Sequence, residues 1–258
     1  MKYSCCTTLE NLPLLEAAGY DRIILPCTQV AGWSEAEFEK ALAAISGSSL
    51  ECRGLNSFCT PELRLCGPGY DAEKVEAYIR HLAPRAKALG VEFIGVGSPK
   101  SRSIPEDYDR ERAMEQWIGT LEILCGVCRE YGITVLLEAV CALEGNFMTT
   151  TNDALEVLNR AGISNLEIVF DTYHAFMMDE DEKPLVRAMD HVKLIHMAQD
   201  FSGRRHYLRR ENMAEYRVYT DALRNAGFDG EVAVEAFYDD IREQLPETLA
   251  IMKELFAQ

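Results

Sequence analysis

The chain has no apolar run approaching the ~18 residues that span a bilayer, and Met1 to Cys6 hold no signal-peptide core. Neither a membrane-spanning nor an exported protein is expected, and the cytoplasm is the expected compartment. Positive charge is scarce too: 26 Lys and Arg stand against 42 Asp and Glu, a formal net charge of −16. Such a surface repels phosphodiester backbones, so a nucleic-acid partner would need a compensating basic face. The one candidate is Arg204-Arg205-His206-Tyr207-Leu208-Arg209-Arg210, which is short and flanked by Asp200 and Glu211. Its plain reading is a solvated loop salt-bridged to an acidic surface. The sharper reading is a lid or subunit contact whose guanidinium forks reach an anionic or polyhydroxylated ligand. A glycine-rich phosphate loop after the first apolar run, a low-complexity tract and a linker are all missing. One domain over residues 1–258 is the expectation.

Nine cysteines without a secretory signal point to reduced thiols rather than a disulfide framework. Cys125-Gly126-Val127-Cys128 has redox-pair spacing, but Leu121, Leu124, Cys125 and Cys128 follow i, i+3, i+4, i+7 in a long helical pattern. A buried core stripe explains them. Cys5 and Cys6 end the first strand, where packing is the plainer reading and a place in a pocket the alternative.

Short apolar runs alternate with longer helical patterns along the whole chain. The predicted strands are 2–6, 22–25, 51–55, 93–96, 134–138, 166–171, 192–196 and 231–235. Helices are predicted over 11–18, 34–45, 72–89, 110–131, 152–161, 183–189, 216–226 and 241–256, with Ser34 an N-cap and Glu37 its capping-box partner. Gly19, Gly47, Gly90, Gly132, Gly162 and Gly227 each follow a helical stretch, where a left-handed residue ends a helix at least cost. Eight strand–helix units close most naturally as a (β/α)8 TIM barrel of the α/β class, and the 258 residues match its usual length of about 250.

Four of the strands end in a side chain suited to metal binding: Glu138, Asp171, His196 and Glu235. Ends of parallel barrel strands share one rim, so three carboxylates and one imidazole converge there. That donor set suits a divalent cation, Mn²⁺ first, with Co²⁺, Mg²⁺ or Zn²⁺ as alternatives. Parity adds a structural expectation. Leu136, Val169, Leu194 and Ala233, two residues earlier, should form an apolar layer beneath the site, and Leu137, Phe170, Ile195 and Val234 should face the helices.

These residues resemble the xylose isomerase-like barrels, the sugar phosphate isomerases/epimerases, and in motif most of all the D-tagatose 3-epimerase type of ketose epimerase. The likeness covers the whole chain as fold and its last half by motif. It implies that Glu138, Asp171, His196 and Glu235 bind the metal, and that Glu138 and Glu235 also act as acid and base. It implies a substrate-hydroxyl contact for His174, in Asp171-Thr172-Tyr173-His174, and a hold on the substrate's carbonyl end for Glu144, six residues after Glu138. Such enzymes hold a ketose carbonyl and its neighbouring hydroxyl on the cation while an enediolate develops. The family arginine six residues after the metal histidine is Ser202 here. Arg204 or Arg205 is available to substitute, loop geometry deciding, and Arg204 is the one expected. The family's proline-glycine-rich loop is replaced by the arginine-rich segment, which leaves room for an inosose or sugar acid as substrate.

The expected activity is therefore metal-dependent isomerisation or epimerisation of a small-molecule sugar or polyol derivative. A dehydratase of a keto-inositol or sugar acid is the alternative on the same fold. An endonuclease IV-like enzyme is disfavoured, because strands three and four run out through Asn56-Ser57 and Gly97-Ser98 without rim histidines. A non-catalytic binding barrel would need a broken quartet. His81, His191 and His206 are read as surface or packing residues, and Trp33 and Phe58 as packing rather than pocket walls. Barrels of this group commonly pair through surface helices, so a homo-oligomer fits.

Overall fold

A computed structural model describes residues 1–201 and 204–257. In chain order its elements are β1 (Lys2–Cys6), α1 (Leu12–Ala18), β2 (Arg22–Pro26), α2 (Cys27–Gly32), α3 (Glu35–Ser46), β3 (Glu51–Asn56), α4 (Ala72–Leu89), β4 (Phe93–Val96), α5 (Pro99–Arg102), α6 (Arg110–Glu130), β5 (Thr134–Glu138), α7 (Thr151–Ala161), β6 (Leu166–Asp171), α8 (Thr172–Met177), α9 (Glu182–Ala188), β7 (Val192–Met197), β8 (Gln199–Phe201), β9 (Arg204–His206), α10 (Met213–Asn225), β10 (Glu231–Val234) and α11 (Ile241–Phe256). Eight strands close into a parallel barrel in the order β1-β10-β7-β6-β5-β4-β3-β2, so the fold is the predicted TIM barrel. No helix among the described residues is long and apolar enough to cross a membrane.

Strand parity sorts the core as the apolar pattern dictates. Leu136, Val169, Leu194 and Ala233 pack inside the barrel with Ile24. Leu137, Phe170, Ile195 and Val234 belong to the larger cluster between barrel and helices. Inside the barrel the Phe93 ring lies against Gly54, where an added Cβ would come within 2.2 Å of the ring. Cys125 and Cys128 are fully buried on α6, as the stripe reading requires. Trp33 packs near Phe38 and Phe58 meets Tyr78 edge-on, so both serve packing.

The start of α3 carries the expected side-chain cap. Ser34 and Glu37 form a reciprocal capping box, with the Ser34 N–H donating to Glu37 Oε2 at 2.8 Å. Of the six expected glycine stops, Gly47 departs, with φ −88° in the right-handed region, so that turn does not demand glycine. Elements the periodicity missed are short. They include α2, α5 and α8, and an antiparallel hairpin of β8 with β9 at the rim, just past β7. Three-residue strands and six-residue helices are too brief to show a period.

Candidate metal centre and active site

The ends of β5, β6 and β7 and the residue after β10 bring Glu138, Asp171, His196 and Glu235 together at the C-terminal rim. One donor atom from each lies within 4.8 Å of every other. His196 Nδ1 is 2.7 Å from Glu138 Oε1, 3.1 Å from Glu235 Oε2 and 3.7 Å from Asp171 Oδ2. Ligand atoms about 2.0–2.2 Å from a shared ion stand roughly 3–4 Å apart, so these spacings fit a single divalent cation. The His196 and Asp171 side chains are fully buried, and carboxylates so placed need a positive partner.

Arg205 supplies one. From β9 its Nη2 contacts Asp171 Oδ2 and lies 2.6 Å from Glu235 Oε2, and its Nε donates to the Glu235 carbonyl at 2.8 Å. The guanidinium also lies over the Tyr173 ring, 5.4 Å from its centroid. A cation thus already satisfies the oxygens that an ion would share. Burial opposes charge on both groups here, but Arg205 and His196 draw the Glu235 carboxyl well below its ordinary range. Glu235 and Glu138 likewise raise the His196 pKa well above the usual histidine value.

Each quartet member is held from behind. Asp171 is both a strand end and the N-cap of α8, its Oδ1 accepting from the N–H groups of Tyr173 (2.8 Å) and His174 (3.1 Å), which fixes the carboxylate. The unexposed Arg102 guanidinium donates to the carbonyls of Gly97 (2.7 Å), Glu138 (3.1 Å) and Met148 (3.1 Å), tying the ends of β4 and β5 together. Beside them the Glu138 carboxylate rests on Gly97, where an added Cβ would stand 2.4 Å from Oε2. Asn56 Nδ2 donates to Glu235 Oε1 at 2.5 Å, and Cys6 Sγ lies 3.6 Å from His196 Nε2. Asn56, Gly97 and Arg102 were not singled out from sequence as site residues, since only tertiary contact gives them a role.

His174 is buried on α8, with Nδ1 facing the Cys141 N–H at 3.3 Å and Nε2 facing Arg205 Nη1 at 2.9 Å. Burial first, then Arg205, push its pKa down to about 3, so the ring is neutral at ordinary pH. Glu144 stands at the mouth of the site and forms a second donor group with Cys141 and His174. Arg204 does not join them: it is exposed, whereas its neighbour Arg205 reaches the quartet. The solvated-loop reading of 204–210 accordingly fails at Arg205 and holds at Arg210, which pairs with Glu254 at 2.6 Å on the surface. Ser202 lies outside the described residues. His81 is exposed, His191 pairs with Glu167, and His206 is buried at the end of β9.

Above the quartet open two adjoining cavities of about 490 and 230 Å³, both lined by Ser57, Glu144, Arg205 and Glu235. Glu138 and His174 line the smaller, and Cys6, Asn11 and Asn56 the larger. Ser57 and Ser98, at the ends of β3 and β4, hold left-handed backbone (φ 46° and 37°), strain of the kind that collects at functional rims.

Residues 12–255 match the family model described as a xylose isomerase-like TIM barrel. The chain belongs to that family. Among curated relatives it is 26% identical over 148 residues to an L-ribulose 3-epimerase of Mesorhizobium japonicum, covering 55% of this chain and 48% of that one. It is 29% identical over 80 residues to a 2-oxo-tetronate isomerase of Cupriavidus necator, covering 30% and 31%. The matched stretches thus span less than half the length of either relative. Among solved structures, the D-allulose 3-epimerase of a Methylomonas species, in complex with D-allulose, superposes with a TM-score of 0.85 at 17% identity, covering 98% and 96% of the two chains. The probable 3-DHS dehydratase AsbF of Bacillus anthracis gives 0.76 at 17%, covering 98% and 99%. The IOLI protein with a binding zinc atom gives 0.72 at 17%, covering 100% and 98%. At these identities the structures testify to the shared fold.

Proposed function

We propose that this protein is a divalent-cation-dependent epimerase or isomerase of neutral polyhydroxylated ketones, moving a proton on the carbon next to the carbonyl. One observation carries the reading: Glu138 and Glu235, at the ends of separate strands, lie 2.7 and 3.1 Å from His196 Nδ1 and face one cavity. A divalent ion held by Glu138, Asp171, His196 and Glu235, Mn²⁺ being best matched to three oxygens and one nitrogen, polarises the substrate carbonyl when bound. Glu138 and Glu235 approach the carbon from opposite faces. The carboxylate of one takes the proton, the C–H electron pair passes into an enediolate, and the other, in its acid form, returns a proton to the opposite face. His174, neutral and buried, holds a substrate hydroxyl through a ring nitrogen, and Glu144 accepts from a hydroxyl at the mouth. The curated epimerase and isomerase relatives support this chemistry.

The charge balance favours a neutral substrate. Arg205 is the one cationic side chain among the described lining residues, and Glu138, Glu144, Asp171 and Glu235 surround it. Even a divalent ion does not overbalance four carboxylates, so a carboxylated or phosphorylated sugar finds no surplus positive charge. All nine cysteines are unpaired, which suits a reducing compartment and supports a cytoplasmic enzyme.

The test is to incubate ketoses and inososes with the Mn²⁺-loaded protein in D₂O and follow the proton next to the carbonyl by NMR. That proton should exchange, and Glu138→Gln or Glu235→Gln should slow exchange roughly 10²–10⁴-fold while the fold persists. Elimination of water from the substrate would assign the dehydratase reading instead. Unchanged exchange in Glu235→Gln refutes the assigned role.

A further inference from the structure

We infer that Arg205 is an internal cation that competes with the divalent ion. Its guanidinium holds Asp171 and Glu235 in the metal-free protein and leaves those oxygens when an ion binds. The inference rests on the proposed role of the quartet as a metal site.

Three observations converge. Arg205 Nη2 sits against Asp171 Oδ2 and Glu235 Oε2, and these same two oxygens face His196 Nδ1. An ion bound to them would meet the guanidinium at close range, where the two positive charges repel and compete for the same two oxygens. His174 gives the second observation. Both of its ring nitrogens face N–H donors, Cys141 N at 3.3 Å and Arg205 Nη1 at 2.9 Å, but a neutral imidazole has a single acceptor nitrogen. The present arrangement thus leaves one donor unmatched, and withdrawal of Arg205 removes the conflict. Third, the Arg205 backbone is pinned. The Phe237 N–H donates to its carbonyl at 3.0 Å, Tyr207 N donates to the Phe237 carbonyl at 3.3 Å, and β9 pairs with β8. The movement is therefore one of the side chain, toward Glu144 across the cavity that both residues line.

Two consequences have opposite signs, which separates competition from a merely structural role. Without Arg205, the buried Asp171 and the half-buried Glu235 lose their guanidinium partner and the metal-free protein becomes less stable. The divalent ion, however, no longer has to break charge-assisted hydrogen bonds to enter and so binds more tightly.

The experiment titrates Mn²⁺ into metal-free wild type, Arg205→Gln, Arg205→Lys and Arg204→Gln, following free ion by its EPR signal, with thermal unfolding of each protein before and after saturation. Arg205→Gln should bind Mn²⁺ about tenfold more tightly or better. It should also melt at a lower temperature without metal and gain more from saturation than wild type. Arg205→Lys, which keeps the charge but loses the fork, should fall between them and serves if the glutamine variant does not fold. Arg204→Gln removes an exposed charge on the same hairpin and should shift affinity no more than about twofold. Equal or weaker saturable binding in Arg205→Gln overturns the inference and leaves the metal site standing, as does an equal gain in Arg204→Gln. Absence of saturable binding in wild type and Arg205→Gln alike overturns the metal site, and the inference with it.

Discussion

Substitution of Gly97 by alanine should separate the site from the fold. The Gly97 backbone lies outside the left-handed region, so alanine meets no conformational penalty there. Its Cβ, however, would stand 2.4 Å from Glu138 Oε2, with Glu138 Cδ at 3.4 Å and Val140 Cγ2 at 3.5 Å. Relief to an ordinary contact of 3.0–3.4 Å moves that oxygen about 0.6–1 Å. A carboxylate tip yields easily, so stability should fall by no more than about 1 kcal/mol, a few degrees in Tm for a barrel of this size. The site tolerates far less, since ligand geometry has to hold within about 0.5 Å. Mn²⁺ affinity should drop roughly 10–100-fold, with a comparable loss in proton exchange. Titration calorimetry with Mn²⁺, the D₂O exchange assay and a thermal melt read the three quantities on one preparation. A Gly97→Ala protein with wild-type affinity and exchange would show that the position of the Glu138 carboxylate is irrelevant to metal binding, against the proposed ligand role.

Gly54→Ala makes the opposite prediction, because its Cβ would strike the Phe93 ring at 2.2–2.3 Å inside the packed barrel. The half-buried ring packs against the barrel core and must be displaced, so overpacking of about 1–3 kcal/mol should lower Tm by roughly 2–12 °C while Mn²⁺ affinity per folded molecule stays unchanged; a preserved Tm contradicts the packing. At the opposite end of the barrel, Arg53 first and Arg22 with it hold the Glu51 carboxyl at about 2. A depressed carboxyl stabilises the fold above its unfolded pKa of about 4.3, and that contribution is lost as pH falls toward 2. Glu51→Gln should thus cost roughly 0.5 kcal/mol at pH 7, the pair being half exposed, and the gap should close as the pH of denaturant titrations drops from 5 toward 2. A gap independent of pH contradicts the ion pairing.

The barrel and the convergence of Glu138, Asp171, His196 and Glu235 were legible because one pattern governs both. A two-residue period with both faces apolar places Leu136, Val169, Leu194 and Ala233 beneath the rim and sends the strand-ending side chains to its surface. The hairpin was not legible. Its strands are three residues each, and a run of arginines looks the same whether one side chain turns inward or all face water. The choice between Arg204 and Arg205 depends on register against Phe237, which no local pattern encodes. Gly97 and Arg102 were silent for another reason. A glycine at a strand end reads as a turn and an arginine as surface, and only the neighbouring Glu138 turns the first into a seat and the second into a buried clamp.

The two ends of the barrel handle acidic charge in opposite ways, and the contrast explains why one end is the site. At the N-terminal end Arg22 bonds Glu231 at 2.6 Å and Glu51 at 3.1 Å, while Arg53 bonds Glu51 at 2.9 Å and Glu92 at 2.7 Å. Three acids meet two arginines, and the surplus charge is solvated because the Glu51 and Glu92 side chains are 47% and 60% exposed. At the C-terminal rim three carboxylates meet the guanidinium of Arg205 and the His196 imidazole, and Asp171 has no exposed side-chain surface through which water could solvate the surplus. A solvated surplus needs no partner, whereas a buried one attracts a cation strongly. Neutralising Glu51 should therefore leave Mn²⁺ binding intact, and disturbing Glu138, Asp171 or Glu235 should change Mn²⁺ binding first, in keeping with barrels that place stability at one end and chemistry at the other.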